Sequence, residues 1–160
     1  MEIRAAGEAD WPPIWRIVQP ILRAGETYAL DPLISEADAR AYWTAADKES
    51  FVVQEQGLIV GTYYIRPNQG GGGAHVCNCG YITAAEAAGR GIGREMCLHS
   101  LEHARRQGFR AMQFNFVVST NRRAVRLWET LGFVIVGRLP LAFLHPHLGY
   151  VDALVMYQRL

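Results

Sequence analysis

Three glycines alternate with other residues where a strand-like run gives way to a helical run, in the stretch Ala88-Gly89-Arg90-Gly91-Ile92-Gly93-Arg94. The first amides of a helix lack intrahelical acceptors, and the helix dipole favours negative charge near them. Glycine lets an anion approach the backbone without a Cβ in the way. Arg90 and Arg94 offer charge-assisted hydrogen bonds to a phosphate. The stretch therefore predicts an anion-binding turn, with a strand-to-helix turn that holds no ligand as the alternative.

The spacing of these glycines argues against two common nucleotide-binding motifs. A dinucleotide-binding fold needs Gly-x-Gly-x-x-Gly and an acidic residue about 20 positions later, at the end of a second strand. Here the run up to Gln107 has a helical pattern instead. A P-loop needs Gly-Lys-Ser or Gly-Lys-Thr, and the stretch contains neither.

A second motif, NRRAVRLWETLGF, extends from Asn121 to Phe133. Asparagine is a favoured N-cap, and glycine commonly follows the last turn of a helix. The motif therefore predicts a short helix that starts at Asn121 and stops at Gly132. Its predicted buried face comprises Ala124, Leu127, Trp128 and Leu131.

Together the two motifs resemble those of the GNAT superfamily of acyl-CoA-dependent N-acyltransferases. The pyrophosphate loop of that family reads Gln/Arg-x-x-Gly-x-Gly/Ala. Gly91 and Gly93 match its two small positions, whereas Ala88 replaces the usual Gln or Arg. Its later motif reads roughly Asn-x-x-Ala-x-x-Leu-Tyr-x-x-x-Gly-Phe. The matching positions are Asn121, Ala124, Leu127, Trp128, Gly132 and Phe133. The resemblance implies an enzyme that moves an acetyl group from acetyl-CoA to an amine.

The resemblance also implies which residues contact the coenzyme. In the family, backbone amides of the strand before the pyrophosphate loop meet the pantetheine and the thioester, where one can bind the oxyanion. The implied coenzyme-binding residues are Tyr81, Ile82, Thr83, Ala88, Gly89, Arg90, Gly91, Ile92, Gly93, Arg94, Asn121 and Trp128. Trp128 replaces a tyrosine that often protonates the departing thiolate, and an indole N–H is not a useful acid. Trp128 is alternatively a core aromatic residue.

The order of predicted elements extends the resemblance to the whole chain, whose 160 residues suit a single domain. We predict an α/β fold with a GNAT-like mixed, half-wound central sheet flanked by helices, and a right-handed parallel crossover between residues 74 and 118. Asp10 is the predicted cap of the first helix, and Pro20 is predicted to end or kink it. Ser35, followed three residues later by Asp38, is the predicted cap of the second helix, and Gln56-Gly57 is the predicted turn between the strands 50–55 and 58–66. The predicted strands are 2–5, 50–55, 58–66, 74–83, 110–118, 133–138 and 150–159, and the predicted helices are 9–22, 35–46, 90–107 and 121–131.

Three polar residues are candidates for the acceptor site and for catalysis. Asn115 lies in a strand with Phe114 and Phe116 on the opposite face, so it is expected to bind the substrate or to make a structural hydrogen bond. Asn78 has the same two interpretations. Glu26 lies in a loop-like stretch and is either a group that holds or deprotonates the amine or an ordinary surface glutamate.

A narrower resemblance concerns the acceptor. Residues 25–28, 77–78 and 115–121, followed by Leu127-Trp128, resemble the subgroup that acetylates proline analogues and related small amino acids. That subgroup uses asparagines at the positions of Asn78, Asn115 and Asn121, and the resemblance implies a small amine substrate, an amino acid or analogue. Acetylation of a protein N-terminus or a lysine, and a non-catalytic acyl-CoA sensor, remain the alternatives. Homodimerisation is common for the family and is expected here by analogy.

Composition limits the partners and the location. The formal net charge of +1 gives no bulk attraction to nucleic acid or to an anionic membrane. The N-terminal stretch does not read as a signal peptide, and no run of about 18 apolar residues occurs, so the cytoplasm is the expected location.

Three cysteines without framework spacing are interpreted as free thiols. His99 and His103 are four residues apart but lack a third ligand, so no metal site is predicted.

Overall fold

The computed structural model describes residues 1–160 and contains every strand and helix that the sequence predicts. No helix is both long and apolar enough to cross a membrane. The elements are β1 (Glu2–Ala5), α1 (Trp11–Ala24), α2 (Glu36–Trp43), β2 (Glu49–Glu55), β3 (Leu58–Pro67), β4 (Val76–Thr83), α3 (Ile92–Arg106), β5 (Ala111–Val118), α4 (Arg122–Thr130), β6 (Val134–His145) and β7 (Gly149–Arg159).

The seven strands form one mixed sheet in the order β1-β2-β3-β4-β5-β7-β6, which confirms the predicted fold class. Only β4 and β5 run parallel, and α3 connects them. These two strands pair solely at their first residues, Val76 with Ala111 and Cys77 with Met112. Beyond that point they diverge, so the sheet opens at its centre.

Helices cover both faces of the sheet. The side chain of Thr62 accepts a hydrogen bond from Trp43 of α2, at 3.1 Å. The adjacent Tyr63 hydroxyl lies 2.7 Å from Nδ1 of His99 in α3. Because neighbouring residues of a strand point to opposite faces, α2 and α3 lie on opposite sides of β3. Burial lowers the pKa of His99. No group of three His, Cys, Asp or Glu side chains has an arrangement that could hold a metal ion.

Several local signals in the sequence are confirmed. Ser35 caps α2, because its hydroxyl accepts a hydrogen bond from the Asp38 amide at 3.1 Å. Asn121 caps α4 in the same way, accepting from the Ala124 amide at 3.3 Å. Gln56 and Gly57, which join β2 to β3, both have positive φ, as a type I′ hairpin turn requires.

The first helix differs from its prediction at both ends. Asp10 occupies the N-cap position, as predicted, but its side chain makes no capping hydrogen bond. Its carboxylate instead accepts two hydrogen bonds from Arg4, at 2.7 and 2.8 Å, and one from the Gly7 amide at 2.7 Å. The hydrogen bonds from Arg4 hold the pKa of Asp10 below its usual value. The helix does not end at Pro20 but continues to Ala24, where Gly25 closes it with a φ of 65°.

Other boundaries also move. Helix α2 ends at Trp43 rather than near residue 46, and β6 continues to His145 instead of ending at Arg138. The three cysteines, Cys77, Cys79 and Cys97, are free and buried, as interpreted from the sequence.

Candidate active site

A cavity of about 840 Å³ occupies the opening between β4 and β5 and extends under the segment that links α1 to α2. Its wall contains all but two of the site residues predicted from the sequence. Those on the wall are Asn78, Tyr81, Ile82, Thr83, Ala88, Gly89, Gly91, Ile92, Gly93, Arg94, Asn115, Asn121 and Trp128.

The two exceptions are Glu26 and Arg90, which do not line the cavity. The side chain of Arg90 forms an ion pair with Glu55 and does not reach the cavity. Glu26 is half exposed, and its carboxylate lies 3.9 Å from the His147 ring nitrogen. The next residue after Glu26, Thr27, does reach the cavity wall.

The predicted anion-binding turn has the geometry that such a turn needs. Gly89 and Gly91 have φ values of +85° and +84°, in the left-handed region that favours glycine. The first helical hydrogen bond of α3 runs from the Glu95 amide to the Gly91 carbonyl, at 3.1 Å. The amides of Ile92, Gly93 and Arg94 precede that bond and therefore have no intrahelical acceptor. A Cβ on Gly91 would have no atom within 4 Å, so this end of α3 is open to a ligand.

Arginines surround the same end of the cavity. Arg94 lies on α3, and Arg123 and Arg126 lie on α4. An Nη2 atom of Arg123 is 3.7 Å from the Cβ position of Gly89. Sequence reasoning missed both α4 arginines, although basic residues in the first turns of a helix oppose its dipole and so mark a site for an anion.

The charged residues of the cavity wall are all arginines. Arg66, on β3, is the fourth, and no Asp, Glu, His or Lys side chain lines the cavity. An arginine side chain stays protonated and has no acceptor, so none of these residues can take a proton. The wall thus offers positive charge but no carboxylate or imidazole base.

The diverging strands expose backbone groups at the centre of the cavity. Past Cys77 and Met112, the edge of β4 that faces β5 has no strand partner. The Tyr28 hydroxyl donates a hydrogen bond to the Tyr81 carbonyl at 3.1 Å. Trp128 packs against Tyr81 and Phe114, with ring centroids 5.1 Å from each, so it is a buried aromatic residue that also lines the cavity.

The strict alternation predicted for β5 is wrong at a β-bulge. Between Phe114 and Val117 the register to β7 shifts, so Asn115 and Phe116 both lie opposite one residue of the partner strand. As a result Phe114, Asn115 and Phe116 all line the cavity instead of pointing alternately to two faces.

The two asparagines differ in how their amides are used. Asn78 donates from Nδ2 to the Gln113 carbonyl at 2.9 Å, and its Oδ1 has no donor in the protein. Asn115 donates to the Asn68 side chain at 2.7 Å and accepts from the Gln113 side chain at 2.9 Å. Asn78 thus keeps a free acceptor, whereas Asn115 belongs to a side-chain network.

Tyrosines form the end of the cavity opposite the arginine cluster. The hydroxyls of Tyr42 and Tyr64 are 3.1 Å apart, and Tyr28 lies beside them. The Tyr64 ring passes directly over Gly80, where a Cβ would lie only 2.7 Å from the ring. Burial raises the pKa of Tyr28 and of Tyr64, so both present neutral hydroxyls. Tyr42 and Tyr64 were not singled out from the sequence, because only the packing of α2 on β3 brings them together.

Comparison with known proteins identifies relatives over most of the chain. Residues 11–133 match the acetyltransferase (GNAT) family. An N-acetyltransferase from Schizosaccharomyces pombe is 30% identical, with 84% of this chain and 72% of that protein aligned. The structure of a GCN5-related N-acetyltransferase from Kribbella flavida is 44% identical, with a TM-score of 0.94 over 99% of this chain and 97% of that one. A phosphinothricin acetyltransferase from Sinorhizobium meliloti in complex with acetyl-CoA shares the fold, at 21% identity and a TM-score of 0.87 over 99% and 88% of the two chains.

Proposed function

Because the chain belongs to the GNAT family of acetyltransferases and acts with acetyl-CoA as co-substrate, we propose that its acceptor is the amine of a small molecule, an amino acid or analogue. The observation that carries the proposal is one continuous cavity with an anion-binding turn at one end and a tyrosine-lined pocket at the other. Such a cavity holds both reactants at once, so the amine attacks the thioester directly in a ternary complex.

At the coenzyme end, the amides of Ile92, Gly93 and Arg94 hold the pyrophosphate. They point from a helix N-terminus, where the dipole also favours an anion. Arg123 and Arg126 add charge-assisted hydrogen bonds to the phosphates. The further coenzyme-binding residues of this proposal are Tyr81, Ile82, Thr83, Ala88, Gly89, Gly91, Asn121 and Trp128.

At the centre, the opened edge of β4 receives the thioester. A backbone N–H between Tyr81 and Thr83 stabilises the oxyanion, because no strand partner occupies that edge. Trp128 donates no acidic proton, and a thiol with an unperturbed pKa near 8.5 leaves well enough as a thiolate.

At the acceptor end, the amine lies among Tyr28, Tyr42 and Tyr64 and donates a hydrogen bond to Oδ1 of Asn78. Asn115 supports this pocket through its network with neighbouring amides. Because no carboxylate or imidazole lines the cavity, the ammonium loses its proton to solvent before it attacks. This assignment gives Glu26 no part as the base.

The test is release of free thiol from acetyl-CoA in the presence of an amine panel. The panel contains L-amino acids, proline analogues, amines that lack a carboxylate, and short peptides. Mass spectrometry identifies the acetylated products. Transfer to amino acids or proline analogues is the expected result. Transfer only to peptides would contradict the proposal in favour of protein acetylation, and coenzyme binding without transfer to any amine would favour a sensor.

The proposal includes a homodimer formed through the β6–β7 hairpin. Strand β6 is an edge of the sheet, and its residues Val134, Val136, Leu141 and Leu144 are exposed. A long, apolar edge strand pairs readily with another chain. Light scattering over a concentration series is expected to show dimers that Val136→Glu dissociates. The matched change Leu58→Glu, at an exposed leucine on β3, is expected to leave them intact, and a wild-type monomer at all concentrations would contradict the dimer.

A further inference from the structure

Arg66 is the one charged residue at the tyrosine-lined end of the cavity. It belongs to β3 and lines the wall together with Tyr42 and Tyr64, whereas the other three arginines of the wall lie on α3 and α4. A guanidinium in this position is not explained by the phosphates of the coenzyme, because the anion-binding turn is at the opposite end.

The hydrogen bonding of the Arg66 guanidinium is incomplete. Its Nη1 contacts the carboxylate of Asp47 at 3.2 Å, and Asp47 is more than half exposed. Its Nε is buried and has no hydrogen-bond partner. No protein acceptor contacts Nη2 either, so the edge formed by Nε and Nη2 is unused. This edge is one that a carboxylate binds with two parallel hydrogen bonds.

The residue opposite Arg66 supplies a complementary group. Arg66 and Asn78 are directly paired across β3 and β4, so their side chains lie on the same face of the sheet. Asn78 has a free Oδ1 on the cavity wall, as described above. A donor edge for an anion and an acceptor for an N–H group therefore stand side by side.

The surroundings favour an anionic ligand further. Lys48 lies 3.4 Å above the centre of the Tyr42 ring and 4.4 Å from that of Tyr64, just behind the cavity wall. Burial and the charge of Arg66 lower the pKa of Lys48 to about 8. Only the exposed Asp47 offsets these two cations, and no acidic side chain lines the cavity itself.

Building on the proposed function, we propose that Arg66 binds the carboxylate of the acceptor through its Nε and Nη2 edge and so selects amines that carry an adjacent anion. The side chain is held by one exposed ion pair, which allows it to turn this edge to the ligand. The acceptor amine then lies near Oδ1 of Asn78. Amines that lack a carboxylate, polyamines included, are poor acceptors because they leave Arg66 without a partner. Arg66 is thus a specificity-determining residue.

The experiment compares amino acids with their primary amides, in which the amine is kept and the carboxylate is replaced. Values of kcat/KM are measured for the wild type, Arg66→Gln and Arg66→Lys. The matched control is Arg40→Gln, because Arg40 is an exposed arginine of α2 whose side chain makes no hydrogen bond. Circular dichroism and acetyl-CoA affinity establish that each variant is folded and binds the coenzyme.

We expect the wild type to prefer the carboxylate by at least about tenfold in kcat/KM, chiefly through KM, since a lost charge-assisted bond typically costs a factor of this size or more. This preference is expected to disappear in Arg66→Gln, to recover in part in Arg66→Lys and to stay unchanged in Arg40→Gln. Equal use of acids and amides by the wild type, or a preference that survives in Arg66→Gln, would overturn the assignment while leaving the proposed function intact.

Absence of transfer to every acid and amide would contradict the proposed function itself. Calorimetry of the CoA complex with the free amino acids then decides the role of Arg66 separately. Binding that is lost in Arg66→Gln supports the carboxylate site, and binding that is absent from the wild type or unaffected in the variant overturns it.

Discussion

Replacing Gly91 by tryptophan is expected to abolish coenzyme binding without unfolding the protein. The φ of +84° at Gly91 costs any L-residue about 1–2 kcal/mol, so Gly91→Ala and Gly91→Trp share the same backbone strain. No atom lies within 4 Å of the Cβ position, so neither change produces a clash at Cβ. The two variants therefore differ only in whether a large side chain fills the space in front of the α3 amides.

The expected size of the effect follows from the contacts that the indole prevents. Hydrogen bonds to a charged group contribute about 1.5–3 kcal/mol each. If the indole keeps the pyrophosphate from two of the three free amides, the loss is about 3–6 kcal/mol, or roughly 10²- to 10⁴-fold in Kd. Gly91→Ala is expected to stay within about tenfold of the wild type.

Calorimetry with acetyl-CoA measures the affinities, and urea unfolding measures the stabilities of the three proteins. Similar unfolding free energies for the alanine and tryptophan variants, with affinity lost only in the second, are the expected pattern. If Gly91→Trp bound acetyl-CoA as tightly as Gly91→Ala, the reasoning that places the pyrophosphate at the α3 N-terminus would be refuted.

The rate of transfer at saturating acetyl-CoA is expected to rise with pH, and the midpoint of this rise is expected to follow the pKa of the acceptor amine, because no carboxylate or imidazole lines the cavity. If two acceptors with different amine pKa values gave the same midpoint, a base on the enzyme would be indicated. Gly80→Ala is expected to cost about 1–3 kcal/mol in urea unfolding, since the new Cβ would lie 2.7 Å from the Tyr64 ring, and Tyr64→Leu in the same chain is expected to restore much of that loss. Asp10→Asn is expected to lower the unfolding free energy at pH 7, because the hydrogen bonds from Arg4 lower the pKa of Asp10 and its ionised form therefore stabilises the fold. This stabilisation is present above the unfolded pKa and is lost as the pH falls through the folded pKa, so the difference between Asp10→Asn and the wild type is expected to shrink as the pH falls. A difference that does not change with pH would show that the ionised Arg4–Asp10 contact is not its origin.

The parts of the fold that could be predicted from the sequence depend on short-range hydrogen bonds and backbone angles. Ser35 and Asn121 cap helices by bonding amides three residues away, and Gln56-Gly57 makes a hairpin turn by its own φ values. Asp10 carries the same kind of local signal, yet it fails as a cap because Arg4 from β1 satisfies its carboxylate. A local rule therefore holds until a partner from another element competes for the same group.

In the candidate site, too, only the features formed by neighbouring residues of the chain could be predicted. The glycine-rich turn could be predicted because the residues that form it are consecutive in the chain. Tyr42, Tyr64 and Arg66 could not be predicted, since they meet only after α2 packs on β3. Glu26 shows the converse, because a plausible acid next to the site in sequence lies outside the cavity wall once the chain folds.

The charge of the cavity and the lack of a base are connected by one electrostatic argument. Positive charge near an amine disfavours its protonated form and lowers its pKa. At Lys48, burial is the main cause that lowers the pKa to about 8, and the charge of Arg66 lowers it further. If the acceptor binds beside Arg66 as proposed, its amine is exposed to the same positive charge, which favours the neutral form that attacks the thioester. A carboxylate on the acceptor would neutralise part of this positive charge when it binds Arg66. The amino acid best suited to the proposed site is therefore one whose amine stays close to Arg66 and Lys48 after its carboxylate has paired with Arg66.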